Sequence, residues 1–171
     1  MAQSYPVSGP CIVSLQLGET GSWLDLGYTT NDDMLQVSFS DFAEEVTSTA
    51  SGDEVVEVID RGRMATITGA LNHYDVPIWE DFFEAYYLSS NAIGARGDIG
   101  VSRFTAATKR SFKVRLTPTL AGKTQWEFLR CYVPPGDSLN VGPLGATQTI
   151  ARFVFRAVPV NGVLYTKSTT S

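Results

Sequence analysis

Two consecutive strand-like segments, both much longer than an ordinary strand, constrain the fold more than any other feature of the sequence. In the first, residues 34–47, apolar and polar residues alternate, which is typical of a strand that buries one face. The second, residues 54–71, changes phase around Gly62, and a glycine inside a strand often marks a bulge or a bend. Because strands in globular proteins usually have about 5 or 6 residues, the two segments predict a hairpin over 34–71 that protrudes beyond the domain.

The remainder of the chain also favours β-structure within a single domain. Only 18% of the residues are charged, while 15 glycines, 8 prolines and many aromatic residues favour strands and turns over helices. A chain of 171 residues has enough apolar surface for one core, so residues 1–171 are predicted to form one domain. The polar residues 166–171 are predicted to be a mobile tail. Shorter strands are predicted over residues 11–17, 23–28, 109–119, 125–133 and 147–158.

One segment has the pattern of a helix instead. Asp75 can cap free backbone amides, and Pro77 is tolerated in a first turn. Ile78, Phe82 and Tyr86 follow at a spacing that places them on one face. The sequence therefore predicts one flanking helix over about 75–88, with its aromatic residues in the core.

The residues that catalysis and metal binding require are scarce. The single histidine, His73, is interpreted as a hydrogen-bonded structural residue rather than a base. Cys11 and Cys131 lie far apart without a metal-binding spacing, so two buried, reduced thiols are a better interpretation than a bridge. No nucleophile, phosphate or calcium motif is present, and no apolar run is long enough to span a membrane. The sequence predicts a protein without enzymatic activity, metal or cofactor.

The charges are strongly segregated along the chain. Residues 32–60 include nine acidic residues and no basic one, whereas residues 96–130 include eight basic residues and two acidic ones. Either the acidic hairpin lies against the basic strands of the same chain, or it contacts the basic surface of another copy in a ring or filament. The protruding hairpin favours the second interpretation. The candidate interface residues are Asp41, Glu44, Glu45, Asp53, Glu54, Glu57 and Asp60 on the acidic side, and Lys109, Arg110, Lys113 and Arg115 on the basic side.

The order of these elements also resembles a known family. An acidic strand (38–46), a turn, a strand ending in Ala-Thr-Ile-Thr-Gly (60–71) and then one helix are similar to the major tail tube proteins of long-tailed bacteriophages. The resemblance implies a β-sandwich or barrel-like protomer with a flanking helix, a fold shared with secretion-system tubes. It also implies hexameric rings that stack into a conduit for genomic DNA in the virion, assembled in the host cytoplasm with other tail proteins. In that family the hairpin joins neighbouring subunits, and here the loop over 88–108 would reach the next ring.

A tube that conducts DNA should not bind it tightly, and the net charge of −5 is consistent with weak binding. We therefore expect the polar face of the hairpin to line the lumen. Two other interpretations stay open: a tail terminator, neck or capsid decoration protein, or a small β-barrel that binds a ligand near Trp23, Trp79 or Trp126. The candidate lumen residues are Gln36, Ser38, Ser40, Thr66 and Thr68.

Overall fold

The structure is a computed structural model that describes residues 10–17, 21–29, 35–48, 54–74, 77–78, 111–134, 140–141 and 151–170. In these residues the regular structure is a set of β-strands with antiparallel pairing, which confirms the prediction of a mostly-β protein. The strands are β1 (Cys11–Leu17), β2 (Trp23–Thr29), β3 (Gln36–Ser48), β4 (Glu54–Tyr74), β5 (Phe112–Pro118), β6 (Thr124–Tyr132), β7 (Asn140–Val141), β8 (Ala151–Ala157) and β9 (Tyr165–Thr169).

The strands form one sheet whose pairings return to β4. The order along the sheet is β3-β4-β2-β1-β5-β6-β8-β7, and β9 pairs with β6. Because β8 also pairs with β4, the ladders from β4 through β2, β1, β5, β6 and β8 lead back to β4. We call these six strands the body. Its arrangement as a sandwich or a barrel stays a prediction.

The core lies on the inward faces of the body strands. β5 alternates strictly, so that Phe112, Val114 and Leu116 point inward while the residues between them are half-buried. On β8, the ring of Phe155 stacks on Phe153 at 4.7 Å and meets Phe112 edge-on at 5.0 Å between ring centroids. Buried aromatic rings in these arrangements contribute more than their apolar area alone. This aromatic cluster fixes β8 against the rest of the body.

One glycine of β4 is explained by the close approach of this cluster. A Cβ atom at Gly69 would lie 2.9 Å from Cζ of Phe153 and 3.0 Å from Cδ1 of Leu35. Such contacts are shorter than van der Waals packing allows, and extra methyl groups in a filled core are destabilising. Glycine at this position leaves room for the ring of Phe153, its register partner on β8.

The predicted long hairpin is present, and half of it extends past the body. β3 has 13 residues and β4 has 21, and they pair from Gln36 opposite Thr68 to Ser48 opposite Glu54. The pairing of β4 with β8 begins only at Ala65. We call Ser40–Ser48 and Glu54–Met64 the ribbon. At about 3.3 Å per residue it is roughly 25–30 Å long, and among the described residues its two strands pair only with each other.

Gly62 lies at an irregularity within the ribbon, as its position in the sequence predicted. The register shifts between Phe42 and Ala43, and again between Val46 and Thr47. Gly62 itself has a φ of 140°, a conformation that residues with a side chain rarely adopt. Bulges bend a strand and increase its local twist, so we expect the ribbon to bend close to Gly62.

The structure corrects the prediction of a mobile tail over 166–171. Residues Tyr165–Thr169 form β9, which pairs with Thr124–Phe128 of β6. Beyond the strand, the backbone N–H of Thr170 donates a hydrogen bond to the carbonyl of Lys123 at 2.9 Å. The polar side chains of this segment are mostly exposed. Backbone hydrogen bonds hold the segment in the sheet, and a pattern of polar side chains does not reveal such bonds.

The predicted flanking helix over 75–88 is not seen, because all of it except Pro77 and Ile78 lies outside the described residues. Ile78 is half-buried and packs against the core. It belongs to the helical face that the sequence predicts to point toward the core. The predicted loop over 88–108 also lies outside the described residues. The described part of the chain has no helix that is long and apolar enough to span a membrane.

Candidate assembly interface

Exposed apolar side chains are concentrated on the hairpin. Phe42, Val55, Val58 and Ile59 lie on the ribbon and expose 37–57% of their surface, and Phe39 at its base exposes 49%. Single exposed apolar residues are normal, but a group of them on one projecting element marks an interaction surface. The ribbon therefore has an apolar surface that the described part of its own chain does not cover.

The edges of the ribbon are also available for pairing. β3 pairs with β4 and with no other strand among the described residues. β4 has β3 on one edge, and on its other edge no strand is paired with residues 54–64. Each open edge presents backbone N–H and C=O groups that can pair with another strand. The ribbon thus offers side chains and backbone groups to a partner.

Two of the candidate acidic residues have partners within the ribbon itself. Nε of Arg63 lies 3.1 Å from Oδ1 of Asp41, its cross-strand neighbour. Nε of Arg61 donates a hydrogen bond of 2.9 Å to Oε2 of Glu44. These side chains are more than half exposed, and exposed ion pairs contribute only about 0.2–1 kcal/mol. They fix the local register more than they stabilise the fold.

The other acidic candidates differ in what surrounds them. Glu45, Glu57 and Asp60 are exposed on the ribbon and have no ion pair with any described residue. Asp53 lies outside the described residues, and Glu54 is described only as the first residue of β4. Within the described chain, the negative charge still available to a partner is therefore that of Glu45, Glu57 and Asp60.

The basic candidates lie on a different part of the sheet. In the strand order, β5 is separated from β3 by β4, β2 and β1. Nη2 of Arg115 lies 3.1 Å from Oε2 of Glu127, and its guanidinium lies 3.8 Å above the ring of Trp23. Lys113 is half-buried opposite Gln16, whereas Lys109 and Arg110 lie outside the described residues. Arg115 is thus engaged within its own chain, away from the acidic ribbon.

The five candidate lumen residues do share one face of the hairpin. Gln36 lies opposite Thr68, Ser38 opposite Thr66, and Ser40 two residues further along the same face. Arg156 also lies on this face, which the sequence alone does not reveal. Arg156 of β8 is the register partner of Thr66 and places a positive charge beside the hydroxyl groups. The alternation of β8 was visible in the sequence, but its pairing with β4 was not.

A cleft opens where the ribbon leaves the body. It has a volume of about 970 Å³ and lies between the base of the ribbon and the turn that precedes β9. The ring of Phe39 packs against Tyr165 at 5.6 Å and Trp126 at 5.9 Å. Nζ of Lys167 lies 4.4 Å above the Trp126 ring and 5.3 Å from that of Tyr165. The residues that line the cleft include Phe39, Asp41, Gly62, Arg63, Val163 and Tyr165.

The comparisons with known proteins concern the fold. No known protein family and no curated protein matches the sequence. A chain in the tail of an empty gene transfer agent particle, a structure determined by helical refinement with C6 symmetry, is similar with a TM-score of 0.52 and 14% identity. The match covers 99% of this chain and 100% of that one. The two chains share a fold.

A second solved structure has the same relationship. It is a chain of the virion of a native gene transfer agent particle, with a TM-score of 0.50 and 12% identity. The match again covers 99% of this chain and 100% of that chain. The likeness thus extends over the whole of this chain rather than over one motif.

Both thiols are buried and free. Cys11 and Cys131 lie in the core on different strands, and neither forms a disulfide. Burial raises the pKa of the Cys11 thiol to about 12, and it raises the pKa of Cys131 well above the ordinary range. Among the described residues, no three His, Cys, Asp or Glu side chains converge as metal ligands.

We predict that neither native thiol reacts with a disulfide reagent such as Ellman's reagent at pH 8. The thiolate is the reactive form, and a raised pKa in the folded protein keeps both groups protonated. The same shifts leave the stability unchanged below a pH of about 9 and lower it as the pH rises from there toward the folded pKa values, because only the unfolded chain then releases the thiol protons. The measurement is absorbance with and without guanidinium chloride, which should expose two thiols per chain. A fast native reaction would show that a thiol is accessible.

Proposed function

We propose that this protein is a non-enzymatic structural subunit of a bacteriophage-type tail, in which identical copies assemble through the ribbon. The copies would form stacked rings, six to a ring, that make up the tail tube. The proposal rests above all on the ribbon, because a paired hairpin with open edges and exposed apolar residues is suited to contact another copy. The whole-chain likeness to a gene transfer agent tail chain in a structure with C6 symmetry supports it.

The ribbon favours repeated assembly over a closed dimer. It projects from one side of the body, whereas the Arg115 region lies on another part of the surface. A contact between two different surfaces of one protein is heterologous, and it closes into a ring or continues as a filament. A tail tube, which is a stack of rings, uses both kinds of repetition.

In such a tube the hydroxyl face of the hairpin would line the lumen. Gln36, Ser38 and Thr66 offer neutral groups, and Arg152 and Arg156, which share one face of β8, add two positive charges per subunit. A sparse positive charge would bind phosphate only weakly and in a salt-dependent manner. DNA would therefore slide past this wall without a specific site. The subunit would be located in the virion and would contact other tail proteins there, after assembly in the host cytoplasm.

Negative-stain electron microscopy of the purified protein over a range of concentrations tests the proposal. We expect tubes with a central hole, or stacks of rings, to increase with concentration. Discrete rings that never stack would favour a tail terminator, neck or decoration protein instead. A protein that stays monomeric at high concentration would contradict the proposal and favour a small ligand-binding module. The cleft beside Phe39 is then the site to screen for a ligand.

A further inference from the structure

We propose that a cavity between β5, β6 and the turn that precedes β9 binds a small oxyanion of the phosphate type. The cavity has a volume of about 540 Å³, and the residues that line it include Ser111, Lys113, Leu129, Arg130 and Asn161. None of its described lining residues belongs to the cleft beside the ribbon. The site goes beyond the proposed function, because its occupant is a small ion rather than another copy of the chain.

An irregularity in the β5–β6 ladder brings two basic side chains to this cavity. The register shifts between Phe112 and Val114. Leu129 and Arg130 of β6 consequently lie opposite a single residue of β5, Lys113. This two-to-one arrangement is a β-bulge, a feature that changes the direction of a side chain. Because like charges opposed across a ladder are destabilising, an anion bound between Lys113 and Arg130 would relieve their repulsion.

The cavity has no negative charge of its own among the described residues. Lys113 is half-buried and has no ion pair with any described residue. The acidic residue of β6, Glu127, lies 3.1 Å from Nη2 of Arg115 and is engaged there. No described residue that lines the cavity is acidic. Since burial of a charge costs free energy unless the charge is paired, a bound anion would supply the counter-charge that this lining lacks.

The turn that closes the cavity is held in one conformation. Residues 160–163 form a two-residue hairpin turn, closed by backbone hydrogen bonds of 2.9 and 3.0 Å. Asn161 and Gly162 have φ values of 51° and 80°, as a type I′ turn requires at its two central positions. The backbone N–H of Val158 donates a hydrogen bond of 3.0 Å to the carbonyl of Arg130, which attaches the turn to the bulge. The cavity is therefore formed before any ligand enters.

The lining groups fit a compact oxyanion. Lys113 and Arg130 supply charged N–H donors, while Ser111 and Asn161 supply a hydroxyl and an amide. Hydrogen bonds from cations to phosphate are stronger than neutral ones, and a planar guanidinium can bind two oxygens at once. Two positive charges balance the charge of a phosphate dianion. A metal cation, in contrast, would meet no carboxylate among the described lining residues.

Thermal denaturation in increasing concentrations of sodium phosphate tests the inference. A ligand that binds only the folded chain raises its Tm as the ligand concentration rises. We expect phosphate to raise the Tm of the parent protein more than sodium chloride does at equal ionic strength. Chloride solutions screen the repulsion between Lys113 and Arg130 without making the hydrogen bonds of an oxyanion. Equal shifts in the two salts would overturn the inference.

Matched lysine variants separate a site from a general salt effect, since phosphate also stabilises proteins by exclusion from their surface. Lys113→Gln should raise the phosphate concentration required for half of the saturable effect about 10-fold or more, because it removes a charged hydrogen bond. Lys113→Arg, which keeps the charge, should respond as the parent does. Lys123→Gln is the control, since Lys123 is exposed in the turn between β5 and β6 and does not line the cavity.

Two outcomes would contradict the site. If Lys113→Gln responded to phosphate as Lys123→Gln does, the parent's response would be a general salt effect. If the parent gave no phosphate response while Lys113→Gln impaired assembly, carboxylates of another copy would occupy the cavity instead. Tubes that form without any phosphate response would overturn this inference and leave the proposed function intact.

Discussion

Shortening the ribbon is expected to abolish assembly while the body stays folded. In this variant, residues 41–63 are replaced by Asn-Gly between the cross-strand partners Ser40 and Met64, because Asn-Gly forms a tight hairpin turn. The removed residues pair only with each other among the described residues, so the body loses no ladder. The exposed apolar groups of Phe42, Val55, Val58 and Ile59 are removed with them. Each already buries about half of its surface in the monomer, so burial of the remainder would contribute about half of the roughly 1.5–3 kcal/mol of a fully exposed side chain. The concentration required for assembly should therefore rise more than 100-fold.

Sedimentation velocity over a range of concentrations measures this effect, with circular dichroism as the control for folding. Leu120→Ser is the matched control for the loss of an exposed apolar group, because Leu120 is exposed but not on the ribbon. It should assemble as the parent does. If the shortened protein formed the same assemblies as the parent, the ribbon would not be the assembly element and the proposed function would lose its main support.

Phe155→Ala is expected to lower the free energy of unfolding by about 3–5 kcal/mol. The Phe155 ring is completely buried between Phe112 and Phe153, and its removal leaves a cavity in the layer that holds β8 against β4. Domains are usually stable by only about 5–15 kcal/mol, so the loss is a large fraction of the total. Urea denaturation measures it. Phe155→Leu, which leaves a smaller void, provides a milder variant if the alanine variant does not fold.

The same substitution on the ribbon provides the control. Phe42 is 46% exposed, and Phe42→Ala should change the unfolding free energy of the monomer by no more than about 0.5 kcal/mol. The two variants separate the contribution of burial from the loss of a phenyl ring as such. Equal losses would mean that Phe42 is covered in the monomer, which would contradict its place on a projecting ribbon.

The hairpin was predictable from sequence because its information is local. Alternation along each strand, the irregularity at Gly62 and the length of both segments are visible without knowledge of the fold, and a period of two places Gln36, Ser38 and Ser40 on one face. The cleft was not predictable. Its two sides come from β3–β4 and from the turn before β9, and only long-range strand pairing brings them together.

The charge pattern was only partly informative, for a physical reason. The acidic segment counted along the sequence, residues 32–60, ends just before Arg61 and Arg63. These two arginines form ion pairs with Glu44 and Asp41, which lie inside the segment. Cross-strand neighbours in a hairpin are far apart in sequence at the open end and close together near the turn. A count of charge along the chain therefore separates partners that the register of β3 and β4 brings into contact.

The continuity of β4 has a mechanical consequence. The strand runs without interruption from the ribbon into the body, where Ala65 to Leu71 pair with β8 across seven positions. A force applied to the ribbon along its axis would be transmitted through the covalent backbone to this ladder, and would load its hydrogen bonds in shear, all together rather than one at a time. Tension in an extended polymer of such subunits would thus be supported by the buried centre of each subunit instead of by its periphery.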